Sequence, residues 1–577
     1  MELVWQHRWA VDAYPLNSST IVLALRVARC TPVLRVRVHF GDRYEPHFQD
    51  SCEACRYGSD GAFDWFTCEV AVPTRRLKYA FEVLSPSGCV VYLGEGGLAH
   101  ALDAVQPFHY PYIHPSQVLT VPDWVGHAVA YQIFPDRFAM GEPLLVRPTD
   151  PWDARPAPKS VFGGNLRGIV EKLAYLSDLG VNLVYLTPIF QAPSNHKYDT
   201  QDYFSVDPAF GTLDDLKLLV KEAHRLGIHV VLDAVFNHSG FLFAPFRDVR
   251  ARGKASPYWS WFFVHGDHVD VESVNYETFA SGLRDMPKLN LAEPSAQAYF
   301  LNVAKHYVLE CDIDGWRFDV ANEIDPQFWP RLRSELRALK QDILLIGEIW
   351  HDSLPWLTGN AFDGVMNYPL RELVLRYAVD ESMDELAFAE GWVRLYLQYP
   401  RAAWRAMWNL LGSHDTERVL TRARGHVPSV VLAFAMLFTL PGIPMVYYGD
   451  EIGMEGGADP DCRRGMPWDA NLWKRHLREA IRQLAWLKRT HPALAGDRME
   501  ILDVKPGVLH YVRHGGTGSH LHVALGKRRA LGIGKDSPLF AWDVPSRTGE
   551  DRTVLIWECD SHEGCRYDSR TDGSHDQ

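Results

Sequence analysis

Between about residue 125 and residue 492 the chain repeats one pattern. A short apolar run rich in β-branched and aromatic residues is followed by a longer amphipathic stretch. HAVAYQIFP, VNLVYLTPIF, IHVVLDAVFNH, IDGWRFDV, ILLIGEI, GVMNYPL, AMWNLLGSH and IPMVYYGDE are eight strand candidates. NLRGIVEKLAYLSDLG, LDDLKLLVKEAHRLG and AQAYFLNVAKHYVLE have helical periodicity between them. Strands that alternate with helices imply a parallel sheet covered by helices. Eight such units over this length fit an α/β fold of the (β/α)8 TIM-barrel type, with insertions. A doubly wound open sheet is the alternative, which strand count alone does not exclude.

The flanks have a different texture. STIVLALRVA, LRVRVHF and RRLKYAFEVL alternate as strands do, so residues 1–115 read as an N-terminal β-sandwich, left through the linker QPFHYPYIHPSQ. The barrel is expected over 120–492. Residues 239–294, with the aromatic run PYWSWFF, are too long for an ordinary loop after the third strand and imply an inserted subdomain. MEILDV, VLHYVRH and HLHVALG restore a β texture in 493–577, a C-terminal β-sandwich. LHVALGKRRALGIG does not have the texture of an ordinary strand, and a polar tail with two cysteines begins at Cys559.

Charge and cysteine usage exclude several classes of partner. The net charge of -13 is spread without a basic block, which argues against nucleic acid. The longest uncharged apolar run, Val427 to Tyr448, is broken by Pro441, Gly442 and Pro444, which argues against a membrane span. The N-terminus MELVWQHRWAVDAYPL lacks the basic-then-apolar order of a secretory signal, so a cytoplasmic location is expected. Cys52 and Cys55 form a C-x-x-C without a second pair, which favours free thiols over a metal site.

A barrel presents polar residues at the C-terminal ends of its strands, where chemistry sits. Four strand candidates end in groups of one kind: Asp233, Asn237 and His238; Arg317, Asp319, Asn322 and Glu323; Glu348 and Trp350; His414, Asp415 and Glu417. Arg317 and Asp319 are two apart and share a face of an extended strand. The guanidinium is expected to hold Asp319 ionised, as a nucleophile requires. Glu348, among Ile349, Trp350 and apolar strand residues, is expected to keep its proton through desolvation. One lowered and one raised carboxyl is the pair that glycoside cleavage uses. Asp415 could hold ring hydroxyls, with His238 and His414 donating to the same ring.

DAVFNH, GWRFDVANE, GEIW and LLGSHDTER resemble the four best-known segments of the α-amylase superfamily of glycoside hydrolases. MPKLN (Met286 to Asn290), VANE, HKYDTQDY (His196 to Tyr203) and GGADPDCRRGMPW (Gly456 to Trp468) resemble its cyclomaltodextrinase, neopullulanase and maltogenic amylase group. The resemblance implies Asp319 as nucleophile, Glu348 as general acid/base and Asp415 as transition-state stabiliser. It implies that His238, Arg317 and His414 grip the sugar at the cleavage point, and that Tyr198 is a stacking platform with His196 beside it. Asp459 and Arg463 would bind the next sugar and block longer chains; Glu323 and Trp350 would face the acceptor. Asp233 reads as a support for Arg317, and Trp468 as packing.

The implied activity is retaining hydrolysis of α-1,4-glucosidic bonds in cyclodextrins, maltooligosaccharides, pullulan and starch, with transglycosylation. The implied partner is a second copy bound through the N-terminal domain as a homodimer. No cofactor and no metal ligands are expected. Calcium loops of relatives carry Asn and Asp where this chain has AMGEPLLV (Ala139 to Val146), and Met140, Leu144 and Leu145 cannot supply the six to eight oxygens calcium takes. Two alternatives stand beside this reading. One is an α-glucosidase or transglycosylase of the same superfamily. The other is a non-catalytic glycan-binding or chaperone-like barrel, which would be expected to have lost one of Asp319, Glu348 and Asp415.

Overall fold

The computed structural model describes residues 5–559 apart from 281, 517, 528–530, 532–537 and 546–550. Eight parallel strands form one sheet: β1 (Ala130–Ile133), β2 (Leu183–Leu186), β3 (His229–Ala234), β4 (Gly315–Phe318), β5 (Leu344–Gly347), β6 (Gly364–Val365), β7 (Trp408–Leu410) and β8 (Ile443–Tyr447). Their order is β6-β5-β4-β3-β2-β1-β8-β7. A lone parallel bridge, Met366 to Trp408, joins the two ends and closes the ring. The open-sheet alternative is thereby removed.

The period of two along each strand sorts its side chains. Leu183 and Tyr185 of β2, Val231 of β3, Leu344 and Ile346 of β5 and Trp408 and Leu410 of β7 fill the barrel interior. Val184, Leu232, Trp316, Phe318 and Leu345 face outward into the layer between strands and helices. The same alternation sends Asp233 and Arg317 inward at the top of β3 and β4.

Helices begin and end where local chemistry dictates. Helix α1 (Leu166–Leu179) starts at Asn165, whose side chain accepts from the Gly168 N–H, and stops at Gly180 with φ 92. Helix α2 (Leu213–Arg225) opens on a reciprocal Thr212–Asp215 capping box. Each such cap is worth about 1 kcal/mol. The sixth strand is shorter than GVMNYPL suggests: Asn367 accepts from the Leu370 N–H and caps helix α3 (Tyr368–Ala378), so NYPL turns into helix.

The N-terminal strands pair antiparallel throughout, around a core that includes Ile21, Leu23, Leu25, Val36, Val38, Tyr79 and Phe81. The C-terminal domain is a five-stranded antiparallel sheet. Its strand His520–Lys527 pairs on both sides, with Val508–His514 and with Arg552–Cys559. LHVALGK is therefore a central strand, as the β texture of HLHVALG implies, although the longer run LHVALGKRRALGIG does not read as one; Leu521, Val523 and Leu525 on one face bury it. Among the described residues seven cysteines carry free thiols, whereas Cys559 is disulfide-bonded, which departs from the expectation of free thiols. The tail beyond Cys559 lies outside the described residues. No helix among them is long and apolar enough to cross a membrane.

Candidate active site

Parallel register assembles the site. Asp233 on β3 is the register partner of Arg317 on β4, and Phe318 is the partner of Gly347 on β5. Asp319 and Glu348, one residue further on, therefore stand side by side at the barrel mouth. The Asp319 N–H donates to the Ala234 carbonyl (3.1 Å) and the Glu348 N–H to the Phe318 carbonyl (2.9 Å), which extends the ladder up to both acids.

Arg317, with no solvent exposure, is the hub. Its Nη1 donates to both Asp233 oxygens (2.9 and 3.0 Å) and to Asp319 Oδ1 (2.9 Å). Its Nη2 lies 2.9 Å from Glu348 Oε1, an ion-pair contact without the alignment of a hydrogen bond. Nε points at the Met366 sulfur, 3.5 Å away. Asp233 is further held by the hydroxyls of Tyr185 (2.5 Å) and Tyr198 (2.9 Å).

Three buried carboxylates around one cation leave excess negative charge. Burial and the neighbouring Glu348 push the Asp319 carboxyl well above the usual carboxylate range, and Arg317 offsets this only in part. Asp233 is pushed up to about 6, mainly by burial. The sequence expectation of an Asp319 lowered by Arg317 is thus corrected: the guanidinium is shared three ways, and desolvation outweighs its share.

The residue after Asp319 adopts an unusual backbone. Val320 has φ 44, the left-handed region that a β-branched side chain disfavours. In that conformation its N–H donates to Glu348 Oε2 (3.1 Å), while Trp350 Nε1 donates to Oε1 (3.1 Å). Trp350 is 49% exposed and lies flat on Tyr368, with centroids 3.6 Å apart.

The far wall comes from β7 and β8. His414 stacks on Tyr198 (5.5 Å, 6°), with its Nε2 2.7 Å from the Tyr198 hydroxyl and its Nδ1 2.8 Å from Gln132 Nε2. Burial holds the rings of His414 and His238 in the neutral form, with His238 lowered to about 3. The Asp415 side chain is 31% exposed, into the cleft; surrounding walls still push its carboxyl upward, against Arg463. Arg463 contacts Asp415 (3.3 Å) and Asp459 (3.0 Å).

These groups line one cleft of about 520 Å³. His196, Tyr198, His238, Asp319, Asn322, Glu323, Glu348, Trp350, His414, Asp415, Asp459 and Arg463 all reach its surface. Arg317 and Asp233 lie beneath it. Glu417 is not among its lining residues, and Trp468 packs on Phe138 and Tyr175 with its Nε1 donating to the Phe138 carbonyl.

Sequence reasoning missed Phe279 and gave no role to Met286 of the MPKLN segment, and both reach the cleft; Phe279 stacks on His238 at 4.7 Å. Their loop carries no strand or helix signal. It also gave no role to Lys288 of the MPKLN segment, whose Nζ joins Asn237 Oδ1 (2.5 Å) to Glu323 (3.1 Å). Gln132 could have been found, as a lone amide within an apolar strand.

The candidate calcium loop offers few free oxygens. Asp136 accepts from Arg137 Nε (2.6 Å) and from the N–H groups of Phe162 and Gly163, and Asn165 Oδ1 accepts from the N–H groups of Gly141 and Gly168. Side chains so engaged do not fit a six- to eight-oxygen cation shell.

Comparison with known proteins agrees with this architecture. Residues 132–483 match the family model for the alpha amylase catalytic domain, and residues 4–114 that for the alpha amylase N-terminal ig-like domain. A cyclomaltodextrinase of Geobacillus thermopakistaniensis is 46% identical over 511 residues, 87% of this chain and 86% of the relative. Neopullulanase 2 of Thermoactinomyces vulgaris is 44% identical over 494 residues, 85% of this chain and 84% of its own. A solved cyclomaltodextrinase superposes with a TM-score of 0.87 at 35% identity, covering 96% of this chain and 97% of that one. The chain therefore belongs to the α-amylase family of glycoside hydrolases and is of the cyclomaltodextrinase, neopullulanase and maltogenic amylase type.

Proposed function

We propose that the enzyme hydrolyses α-1,4-glucosidic bonds of cyclodextrins, maltooligosaccharides, pullulan and starch with retention, and transfers glucosyl units to sugar acceptors. The observation that carries this is the placement of Asp319 and Glu348 as register neighbours on one guanidinium at the floor of the cleft. Adjacent parallel strands lie about 4.8 Å apart. That backbone spacing, with both carboxylates on one guanidinium, accords with the roughly 5 Å carboxyl separation of retaining enzymes better than with the wider pair of inverting ones.

In this reading Glu348 protonates the glycosidic oxygen while Asp319 attacks the anomeric carbon. Glu348, now deprotonated, takes a proton from water, whose oxygen displaces Asp319 and regenerates the free enzyme. Asp415 holds ring hydroxyls as the sugar flattens. Neutral His238 and His414 bind the same ring, and Tyr198 supports its apolar face. Arg463 and Asp459 close one end of the cleft. Glu323 and the exposed Trp350 flank the other, where an acceptor sugar can replace water.

Products test the reading. Incubation with β-cyclodextrin, pullulan and soluble starch is expected to give maltose and glucose from the ring and panose from pullulan, at rates unchanged by chelator. No turnover of any glucan would sink it and revive a binding role. Chelator-dependent turnover would contradict only the assignment of a metal-independent site.

The N-terminal domain is proposed to hold a second copy as a homodimer. A dimeric solution mass that becomes monomeric when residues 1–115 are deleted is expected; a monomeric mass for the whole chain would refute it.

A further inference from the structure

A second cleft of about 540 Å³ is lined by residues of the Gln191–Asp202 segment and of the stretch that begins at Leu242. Its floor is aromatic. Tyr258 meets Trp261 at 5.0 Å and 78°, and Trp261 meets Tyr299 at 5.5 Å and 55°; Trp261 is buried and the two tyrosines are half-buried. Its rim is polar: Gln191, Gln201, Asp202 and Arg247. The side-chain amides of Gln191 and Gln201 and the guanidinium of Arg247 make no hydrogen bond or ion pair with any described residue. Asp202 accepts from the Phe204 N–H (2.9 Å) and from Ser205 Oγ (2.7 Å).

This composition selects a ligand class. One cation and one anion on the rim suit an uncharged ligand. Two unengaged amides and a guanidinium offer both donors and acceptors for neighbouring hydroxyls. Aromatic faces beside them suit the apolar C–H face of a pyranose. The volume falls within the range of about 300–1,000 Å³ typical of small-molecule sites. The flanking segments are shared with the catalytic cleft: the chain from His196 to Asp202 lines one at its start and the other at its end, as does the chain from His238 to Arg247.

We propose that this cleft is a second, non-catalytic binding site for a neutral α-glucan chain, distinct from the cleft that holds Asp319 and Glu348. It would keep a polysaccharide on the enzyme between cleavage events. Short substrates that reach only the catalytic cleft would not feel it.

The test is native electrophoresis through gels containing soluble starch, alongside maltotriose hydrolysis in solution. Wild-type protein is expected to be retarded, and Tyr258→Ala combined with Arg247→Ala to bind starch roughly tenfold more weakly at an unchanged maltotriose rate. Gln201→Ala alone, a milder change, is expected to weaken retardation in the same direction. Equal retardation of wild type and both variants would overturn the proposal, as would a wild type that starch does not retard. A parallel fall in maltotriose hydrolysis would also overturn it, by showing that these residues brace the catalytic cleft. Absence of maltotriose hydrolysis in the wild type would count against the cleavage reading alone, because retardation is scored separately.

Discussion

Asp319→Asn will leave a folded protein whose turnover of β-cyclodextrin falls on the order of 10⁴-fold, about 5.5 kcal/mol of lost transition-state stabilisation. The amide cannot form the covalent glycosyl intermediate, yet it occupies the same space on β4 and can still meet Arg317. The variant's melting temperature is expected to equal or exceed that of the wild type. Asp319 is a buried acid pushed upward by desolvation and by Glu348, so neutralising it relieves like-charge repulsion. Such an exchange of stability for activity marks a group kept for chemistry. Initial-rate assays and thermal unfolding on the same preparation check both halves. Activity within tenfold of wild type would mean that another residue is the nucleophile.

The second large effect is expected at Arg317. Arg317→Met removes the only cation that touches these three buried carboxylates among the described residues, and such unpaired burial costs about 3–5 kcal/mol. The loss should depend on pH with a definite sign. Asp233 already sits at about 6, above its unfolded value, and losing the guanidinium moves it further up. A carboxyl raised in the folded state contributes stability that is full below its unfolded pKa and is lost as pH rises through the folded pKa. The variant should therefore be nearer to wild-type stability at pH 5 than at pH 8. Chemical unfolding at the two pH values measures this. An equal deficit at both would assign Arg317 a packing role rather than an electrostatic one.

Much of the site was legible because a barrel imposes a simple rule on sequence. Period-two alternation puts Arg317 and Asp319 on one face, and strand ends put Asp233, Glu348 and His414 at one mouth. Those groups assemble from four separated segments without any knowledge of loops. Electrostatics was less legible: the same Arg317 that suggests a lowered Asp319 is divided among three acids, and that division depends on register between strands. Loop-borne residues were the least legible. Phe279 and Met286 reach the cleft from a stretch held by isolated bridges, His238 to Lys288 and Thr278 to Pro287, which have no periodic signature. The strand His520–Lys527 was legible as HLHVALG, but its end was blurred by the basic residues and glycines that follow; pairing on both edges fixes that end.

The ring of strands is not equally tied all the way round. Asp319 and Glu348 stand on β4 and β5, which share a continuous ladder, whereas Asp415 follows β7, on the far side of the single Met366–Trp408 bridge. The seam has the shortest ladder of the ring, supplemented by the Asn367 N–H donating to the Trp408 carbonyl (2.8 Å) and the Asn367 side-chain amide donating to Asn409 Oδ1 (3.1 Å). A displacement across it would change the gap between Asp415 and the pair Asp319 and Glu348, and would leave that pair in register. On the proposed roles, the groups that make and break bonds share one unbroken ladder, and the group that grips the sugar stands across the seam from them.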